Sequence, residues 1–225
     1  MDLDTFSKSD PVCHVYMRIP PAQTYTLVGK TEIIQNSLNP DFAKSFRLEY
    51  FFEKEQHMRF ELYDDDESKL EHIGNVETTL GRIVGAQRQT FLEDLKIPGK
   101  NVPRGKLILR ADSLKESNNE VEMKFSASGL PDKATCLCGS NDPFCVISRK
   151  IHQQEWVKVH VTDTIRGKTS PSFNRLKLPL AQLCNADVEA PLKFELYSDR
   201  ANGSHVYYGE FLTCVAELQG GQRSF

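Results

Sequence analysis

An internal repeat constrains the fold of this chain more than any other feature of its 225 residues. Four short blocks from the first half recur in the same order in the second half, at offsets between 131 and 135 residues. The tetrapeptide Phe-Glu-Leu-Tyr, for example, occupies residues 60–63 and again residues 194–197. A register this steady indicates that one domain has been duplicated. We therefore predict two similar domains, in residues 1–115 and 118–225.

Alternation of apolar and polar residues predicts β-strands through most of both copies. This period of two occurs in residues 58–63, 106–110 and 121–125. Asn-Pro and Ser-Pro dipeptides between the predicted strands indicate turns, because proline has no N–H to donate to a sheet. Short helical turns are expected at residues 79–85 and 179–184. Closely spaced strands separated by turns predict an all-β fold of antiparallel sandwiches.

Charge and hydropathy narrow the class of protein. A formal net charge of −3 does not favour nucleic-acid binding, which usually requires a basic excess. The sequence contains neither a run of about 18 apolar residues nor an apolar leader, so it predicts no membrane span and no signal peptide. The six cysteines are then expected to be reduced thiols of a cytoplasmic protein. Cys13 and Cys145 are expected in the cores, and the pair Cys136 and Cys138 in a loop without a zinc site.

Acidic residues collect where predicted strands of the first copy give way to loops. Asp4 and Asp10 lie in one such loop, and Asp64 and Asp66 begin another. Two residues apart in an extended segment, Asp64 and Asp66 point the same way. Crowded carboxylates repel one another unless a hard cation neutralises them, and Ca²⁺ binds about six to eight oxygen ligands. The sequence thus predicts a calcium site, with a solvated acidic loop as the alternative.

The residues around these acids resemble the tandem C2 region of copines. Leu-Asp followed by Ser-Asp-Pro, and Tyr-Asp-x-Asp followed by Ile-Gly, are typical of C2 domains, and residues 6–11, 30–40 and 79–84 resemble copines in particular. The resemblance covers nearly the whole chain and is stronger in the first copy. It implies two tandem antiparallel C2 β-sandwiches of the eight-stranded type, the first lacking its opening strand and the second its last strands. Copines also carry a C-terminal von Willebrand factor A-like domain, which has no counterpart in these residues.

The resemblance also implies the roles of individual residues in the first copy. Asp4 and Asp10 would be calcium ligands from the first loop, and Asp64 and Asp66 would be ligands from the third loop. Glu71 takes the place of the usual aspartate, and its longer side chain changes the reach of that ligand. The tips of the two loops would meet lipid through one aromatic, one aliphatic and two basic side chains: Phe6, Lys8, Lys69 and Leu70.

The second copy lacks most of these ligands. The positions that correspond to the acids of the first copy hold Cys136, Ser198, Arg200 and Val206, and only Asp142 remains. We therefore expect no calcium binding by this copy. Its basic residues, among them Lys158, Arg166 and Lys168, are expected either to bind phosphoinositide headgroups without calcium or to form a solvated surface.

The sequence therefore predicts a calcium-dependent phospholipid-binding protein. It would be cytoplasmic and would associate with the anionic plasma membrane through the first domain when calcium rises. The alternative is a calcium-independent adaptor that binds protein partners. The sequence shows no nucleophile–base arrangement, phosphate-binding loop or zinc signature, so no catalytic activity is expected. Exposed strand edges of the shortened sandwiches are expected to favour self-association.

Overall fold

The computed structural model describes residues 8–66, 69–97, 99, 105–131, 141–151, 155–200 and 203–220, and every structural statement below concerns these residues. The chain divides into two compact units, Met1–Ser113 and Leu114–Phe225. We call them unit 1 and unit 2 and describe each by itself.

Unit 1 is built from antiparallel strands in two sheets. Its larger sheet has the order β2-β1-β3-β4, and its smaller sheet pairs β5 with β6. A short helix, α1 (Leu80–Val84), follows β4 directly, and a single 3-10 turn occupies Gln87–Gln89. The strands are β1 (Pro11–Arg18), β2 (Thr26–Lys30), β3 (His57–Asp66), β4 (Lys69–Thr79), β5 (Thr90–Asp94) and β6 (Lys106–Arg110).

The core of unit 1 follows from the alternation along β3. Met58, Phe60 and Leu62 are buried, whereas the residues between them are only partly buried. Successive side chains of a strand point to opposite faces, so this pattern directs one face of the larger sheet inward. Phe91 and Leu107 of the smaller sheet pack into the same core. Burial of the apolar faces of the two sheets thus forms a sandwich.

Unit 2 repeats this arrangement. Its larger sheet has the order β12-β11-β8-β9, and its smaller sheet pairs β10 with β7. The helices are α2 (Leu180–Cys184) and α3 (Val215–Gln219). The strands are β7 (Glu120–Met123), β8 (Pro143–Ile151), β9 (Glu155–Val161), β10 (Leu176–Pro179), β11 (Leu192–Ser198) and β12 (Val206–Thr213).

The predicted all-β tandem of antiparallel sandwiches is therefore confirmed. Each unit has six strands among its described residues, and the larger sheets have equivalent strand orders. The two expected helical turns are present as α1 and α2. Cys13 and Cys145 are buried in the two cores, as expected, and burial raises the pKa of each thiol to about 12. The pair Cys136 and Cys138 lies outside the described residues.

The two units differ in a segment of the chain that comes before β3 in unit 1 and before β11 in unit 2. In unit 2 this segment is β10, which pairs with β7. In unit 1 the matching residues 42–50 have no strand partner among the described residues. Phe46 and Leu48 nevertheless pack against the core of unit 1. The residue that follows each of them, Arg47 and Glu49 respectively, is exposed. The segment therefore has the inward and outward alternation of a strand without a pairing neighbour.

Candidate calcium site at the loop end of unit 1

The hydrogen bonds between Asp10 and the end of β3 bring two of the predicted acids together. Pro11, the first residue of β1, is paired with Asp64 in the ladder between β1 and β3. The backbone N–H of Asp10 donates a hydrogen bond to Oδ1 of Asp64 at 2.6 Å. In the other direction, the N–H of Asp65 donates to the carbonyl oxygen of Asp10 at 3.0 Å. The loop before β1 and the loop after β3 are thereby held side by side.

Asp64 has an unsatisfied oxygen in a buried position. The residue is only 1% exposed, and its Oδ2 has no hydrogen-bond partner among the described residues. A buried polar atom without a partner is costly, and an anionic one more so, unless a cation or a polar group compensates it. Carboxylate oxygens are the ligands that Ca²⁺ prefers. Oδ2 of Asp64 is therefore an oxygen that a cation or a further polar group would compensate.

A third loop is tied to the same acids through Asp10. The N–H of Asn36 donates to Oδ1 of Asp10 at 2.6 Å, and the N–H of Ser37 donates to the carbonyl oxygen of Ser9 at 2.8 Å. Asn36 has a φ of 55°, a left-handed conformation that asparagine tolerates better than most residues. Sequence reasoning missed Asn36. The available signal was its position directly before the Ser-Leu-Asn-Pro block that recurs in the second copy.

A β-bulge decides which residue of β4 faces Asp64. The ladder between β3 and β4 shifts register between Leu62 and Tyr63, and beyond the shift Asp64 is paired with Glu71. Paired residues of an antiparallel ladder have their side chains on the same face. The structure thus places Glu71 beside Asp64 on the same face of the sheet. Bulges are frequent next to functional sites because they redirect a side chain.

Glu71 already has a cationic neighbour. Its carboxylate accepts a hydrogen bond from Nζ of Lys69, and this interaction raises the pKa of Lys69. Lys69 is in turn paired with Asp66 in the ladder. Both Lys69 and Glu71 are solvent-accessible, and such exposed ion pairs stabilise a protein little. Glu71 is therefore able to exchange Lys69 for another cation at small cost.

The structure describes two of the four remaining predicted residues of unit 1. Asp4 and Phe6 lie outside the described residues. Lys8 is exposed, and Leu70 is 46% exposed beside Lys69 at the start of β4. Within the part of the chain that the structure describes, no group of three or more His, Cys, Asp or Glu side chains converges in a way that could hold a metal ion.

Unit 2 keeps the hydrogen bonds of this loop end but has no acids at the positions of Asp64 and Glu71. The N–H of Asp142 donates to Oγ of Ser198 at 3.2 Å, and the N–H of Gly167 donates to Oδ1 of Asp142 at 2.8 Å. A bulge at the same place in the ladder between β11 and β12 brings Val206 opposite Ser198. Ser198 and Val206 thus occupy the positions of Asp64 and Glu71.

The basic residues predicted in unit 2 lie in two places. Lys158 is on β9, next to the core residue Val159, so its side chain points to the outer face of the larger sheet. Arg166 and Lys168 are exposed and flank Gly167 at the loop end, beside Asp142. The structure therefore does not bring all three onto one strand or one loop.

None of the helices among the described residues is long and apolar enough to cross a membrane.

Comparison with known proteins agrees with this architecture. The model of the C2 domain family matches residues 1–95 and 121–224. The chain is 35% identical over 228 residues to Copine-A of Dictyostelium discoideum, an alignment that covers 100% of this chain and 37% of that protein. The chain thus spans well under half the length of this relative.

Two similar solved structures are BON1-C2B and a calcium-bound tandem of C2 domains from Extended-Synaptotagmin 2. The first is 23% identical with a TM-score of 0.40 and covers 45% of this chain and 67% of that chain. The second is 17% identical with a TM-score of 0.33 and covers 98% of this chain and 81% of that chain. The family match includes most of the residues in both units. The chain therefore belongs to the C2 domain family and contains two copies of the domain in a copine-like tandem.

Proposed function

We propose that this protein binds anionic phospholipid membranes in response to calcium, and that unit 1 carries the response. The observation that supports the proposal most directly is Oδ2 of Asp64, which is buried and has no hydrogen-bond partner in the described part of the chain. Membership of the C2 family and similarity to Copine-A support a general role in calcium and phospholipid binding at membranes. The role is one of binding, without catalysis and without a nucleic-acid partner.

The proposed ligands are the acids at the loop end of unit 1: Asp4, Asp10, Asp64, Asp66 and Glu71. Without a bound cation these carboxylates repel an anionic bilayer. Calcium supplies positive charge and coordination positions that lipid phosphates can complete. When Glu71 leaves its exposed ion pair with Lys69, the ammonium group of Lys69 becomes available for a phosphate. Lys8, Leu70 and Phe6 are the other side chains proposed to contact the lipid.

The proposed location follows from this charge change. The protein would be cytoplasmic at low calcium and would associate with the plasma membrane when calcium rises, because the cytoplasmic leaflet is anionic. The domain boundaries proposed from the repeat, residues 1–115 and 118–225, place the whole ligand set in the first domain.

Sedimentation with phosphatidylserine vesicles tests the proposal. The chain should sediment with vesicles in excess calcium more than in excess chelator, and Asp64→Asn should remove the difference. The matched variant Ser198→Ala, at the equivalent position of unit 2, should retain it. An equal calcium-dependent increase in Asp64→Asn and the unaltered chain would contradict the proposal.

A second candidate function, an adaptor that binds proteins through a strand edge, is favoured by residues 42–50. The backbone groups of residues 45–48 form no hydrogen bond with another described residue. An edge of this kind pairs readily with a strand from another chain. In one antiparallel register of two copies, Arg47 of each lies opposite Glu49 of the other, which places opposite charges together twice.

Sedimentation velocity distinguishes this candidate. A concentration-dependent dimer should weaken in Arg47→Glu and recover in the double variant Arg47→Glu, Glu49→Arg. A monomer at all concentrations would exclude pairing between copies and leave only other strands as partners.

A further inference from the structure

The connection that leads into β3 leaves three aromatic side chains exposed. Residues 49–55 are exposed without interruption, and they include Tyr50, Phe51 and Phe52. The side chain of Phe52 is the most accessible of the three, at 84%. Single apolar side chains are common on protein surfaces, whereas a contiguous group of large ones marks a site of interaction. We call residues 49–55 the aromatic turn.

The sandwich fold does not require this exposure. In unit 2 the matching connection, between β10 and β11, begins with the helix α2. Leu180, Leu183 and Cys184 of that helix are buried in the core of unit 2. The same place in the duplicated fold therefore buries its apolar side chains in unit 2 and presents them to solvent in unit 1.

Hydrogen bonds from one buried side chain hold the aromatic turn in place. Oε1 of Gln56 accepts the N–H of Phe51 at 2.8 Å, and Nε2 of Gln56 donates to the carbonyl oxygen of Glu49 at 2.8 Å. The N–H of Lys54 donates to the carbonyl oxygen of Phe51 at 3.1 Å and closes the turn. A surface that is already ordered loses little conformational entropy when a partner docks on it. The aromatic turn is therefore preorganised for binding.

Acidic residues flank the aromatic ones. Residues 49–55 contain three glutamates and one lysine, a formal charge of −2. Nζ of Lys54 lies 4.7 Å from the centroid of the Phe51 ring, so this cation is engaged within the turn. Glu49 and Glu53 are exposed and form no ion pair with another described residue. The turn therefore attracts a basic partner and repels both an anionic bilayer and the same turn of a second copy.

We propose that the aromatic turn binds a basic segment of a partner protein, whose apolar side chains cover Phe52 and whose cations face Glu49 and Glu53. Aromatic residues in the centre and charges at the rim are the usual arrangement of a protein interface. Docking at this turn requires neither calcium nor a membrane.

The position of the aromatic turn leaves it accessible when the loop end is occupied. The strand β3 runs from His57, directly after the turn, to Asp66 at the loop end. Its ten residues span about 30 Å at the usual rise of a strand. The turn and the candidate calcium site thus lie at opposite ends of unit 1, and unit 1 can contact a membrane and a partner protein at the same time.

The test selects peptides on the full chain from a random library displayed on phage, in excess chelator. The selected sequences should combine Lys or Arg with aromatic or aliphatic residues. The dissociation constant of a synthetic selected peptide, measured by fluorescence anisotropy, should rise at least about tenfold in Phe52→Ser, because a central aromatic residue is typically a hot spot. The control Leu212→Ser removes a side chain that is 56% exposed on β12, and it should bind the peptide like the unaltered chain.

A second pair of variants tests the contribution of charge. Glu49→Gln, Glu53→Gln should slow peptide association and flatten its dependence on salt, because charges at the rim mainly steer the encounter. The matched variant Glu116→Gln, Glu217→Gln makes the same change in net charge at exposed positions of unit 2 and should retain the salt dependence.

Several results would overturn the inference. These are the absence of enriched peptides, enrichment of peptides without basic residues, and equal peptide binding by Phe52→Ser and the unaltered chain. Vesicle binding that Phe52→Ser abolishes would assign the turn to a membrane, and a dimer that it abolishes in sedimentation velocity would assign the turn to a second copy. Because the peptide is measured in chelator, failure of the proposed calcium response does not affect the outcome.

Discussion

The substitution Asp64→Asn should have opposite effects on the stability of unit 1 with and without calcium. Asparagine has nearly the shape of aspartate, and its side-chain oxygen can still accept the N–H of Asp10, which lies 2.6 Å from Oδ1 in the structure. The variant removes the carboxylate charge at Oδ2, a buried atom to which no described residue donates a hydrogen bond. An unsatisfied buried polar group costs about 1–3 kcal/mol and a charged one more, whereas the new amide leaves only a neutral donor unpaired. Without calcium we therefore expect the variant to be about 1 kcal/mol more stable.

With calcium the order should reverse. A ligand that binds only the folded state stabilises it by about 2.7 kcal/mol at a concentration one hundred times its dissociation constant. The unaltered unit 1 should gain this amount and the variant little of it. For a domain of this size, 1 kcal/mol corresponds to a shift in melting temperature of about 4 °C or more.

The assay is thermal unfolding in excess chelator and in excess calcium. The chain contains a single tryptophan, Trp156 on β9 of unit 2, so tryptophan fluorescence follows unit 2 while circular dichroism follows both units. Unit 1 is then observed as the transition without a fluorescence change. Two results would refute the reasoning: a variant less stable than the unaltered chain in chelator, or a variant that retains the calcium-induced shift.

Three further predictions concern packing and titration. Gly29→Ala should destabilise unit 1 by about 1–3 kcal/mol, because the added Cβ would lie 2.7 Å from the ring of Phe46. The control Gly209→Ala in unit 2 adds a Cβ that meets no atom within 4 Å. Equal decreases in the free energy of unfolding of the two variants, measured in urea, would contradict this prediction. Cys13 and Cys145 should resist alkylation at neutral pH, because burial raises their pKa to about 12 and leaves little thiolate, so peptide mapping should find them modified only after unfolding. Burial lowers the pKa of His14 and of His160, so each unfolded unit binds protons more readily than the folded one. The free energy of unfolding should therefore be constant above about pH 6.5 and decrease as the pH falls below it. His14→Gln should flatten this dependence for unit 1, and urea unfolding midpoints measured across the pH range would confirm or contradict it.

The fold was predictable because strand alternation is a local property of the backbone. The pattern of β3 reports which side chains are buried without any knowledge of its neighbours, and the recurrence of Phe-Glu-Leu-Tyr in β11 extends the result to unit 2. Strand pairing depends on residues far apart in the chain. The segment 42–50 has the alternation of a strand, and its sequence alone does not show that it lacks a described partner.

The candidate site was predictable only in part for the same reason. The period of two places Asp64 and Asp66 on one side of a strand, but the position of Glu71 depends on a register shift between two strands. Without the bulge, His72 would face Asp64 instead. Asn36 lies 26 residues from Asp10, so a hydrogen bond between their backbone and side chain is not visible in any short window of sequence.

The comparison of the two units separates the residues that build the loop end from those that give it a charge. Asp10 and Asp142 both accept a loop N–H, so the retention of an aspartate at this position is explained by the backbone framework whether or not calcium binds. Ser198 accepts the N–H of Asp142 with its single oxygen, which is all that the framework requires of that position. The second oxygen of Asp64 is buried and accepts no hydrogen bond from any residue that the structure describes, so it has no such role in the described framework. A substitution at Asp10 would therefore disturb the loop and the ligand set together, whereas a substitution at Asp64 changes the charge of the site and leaves its framework in place.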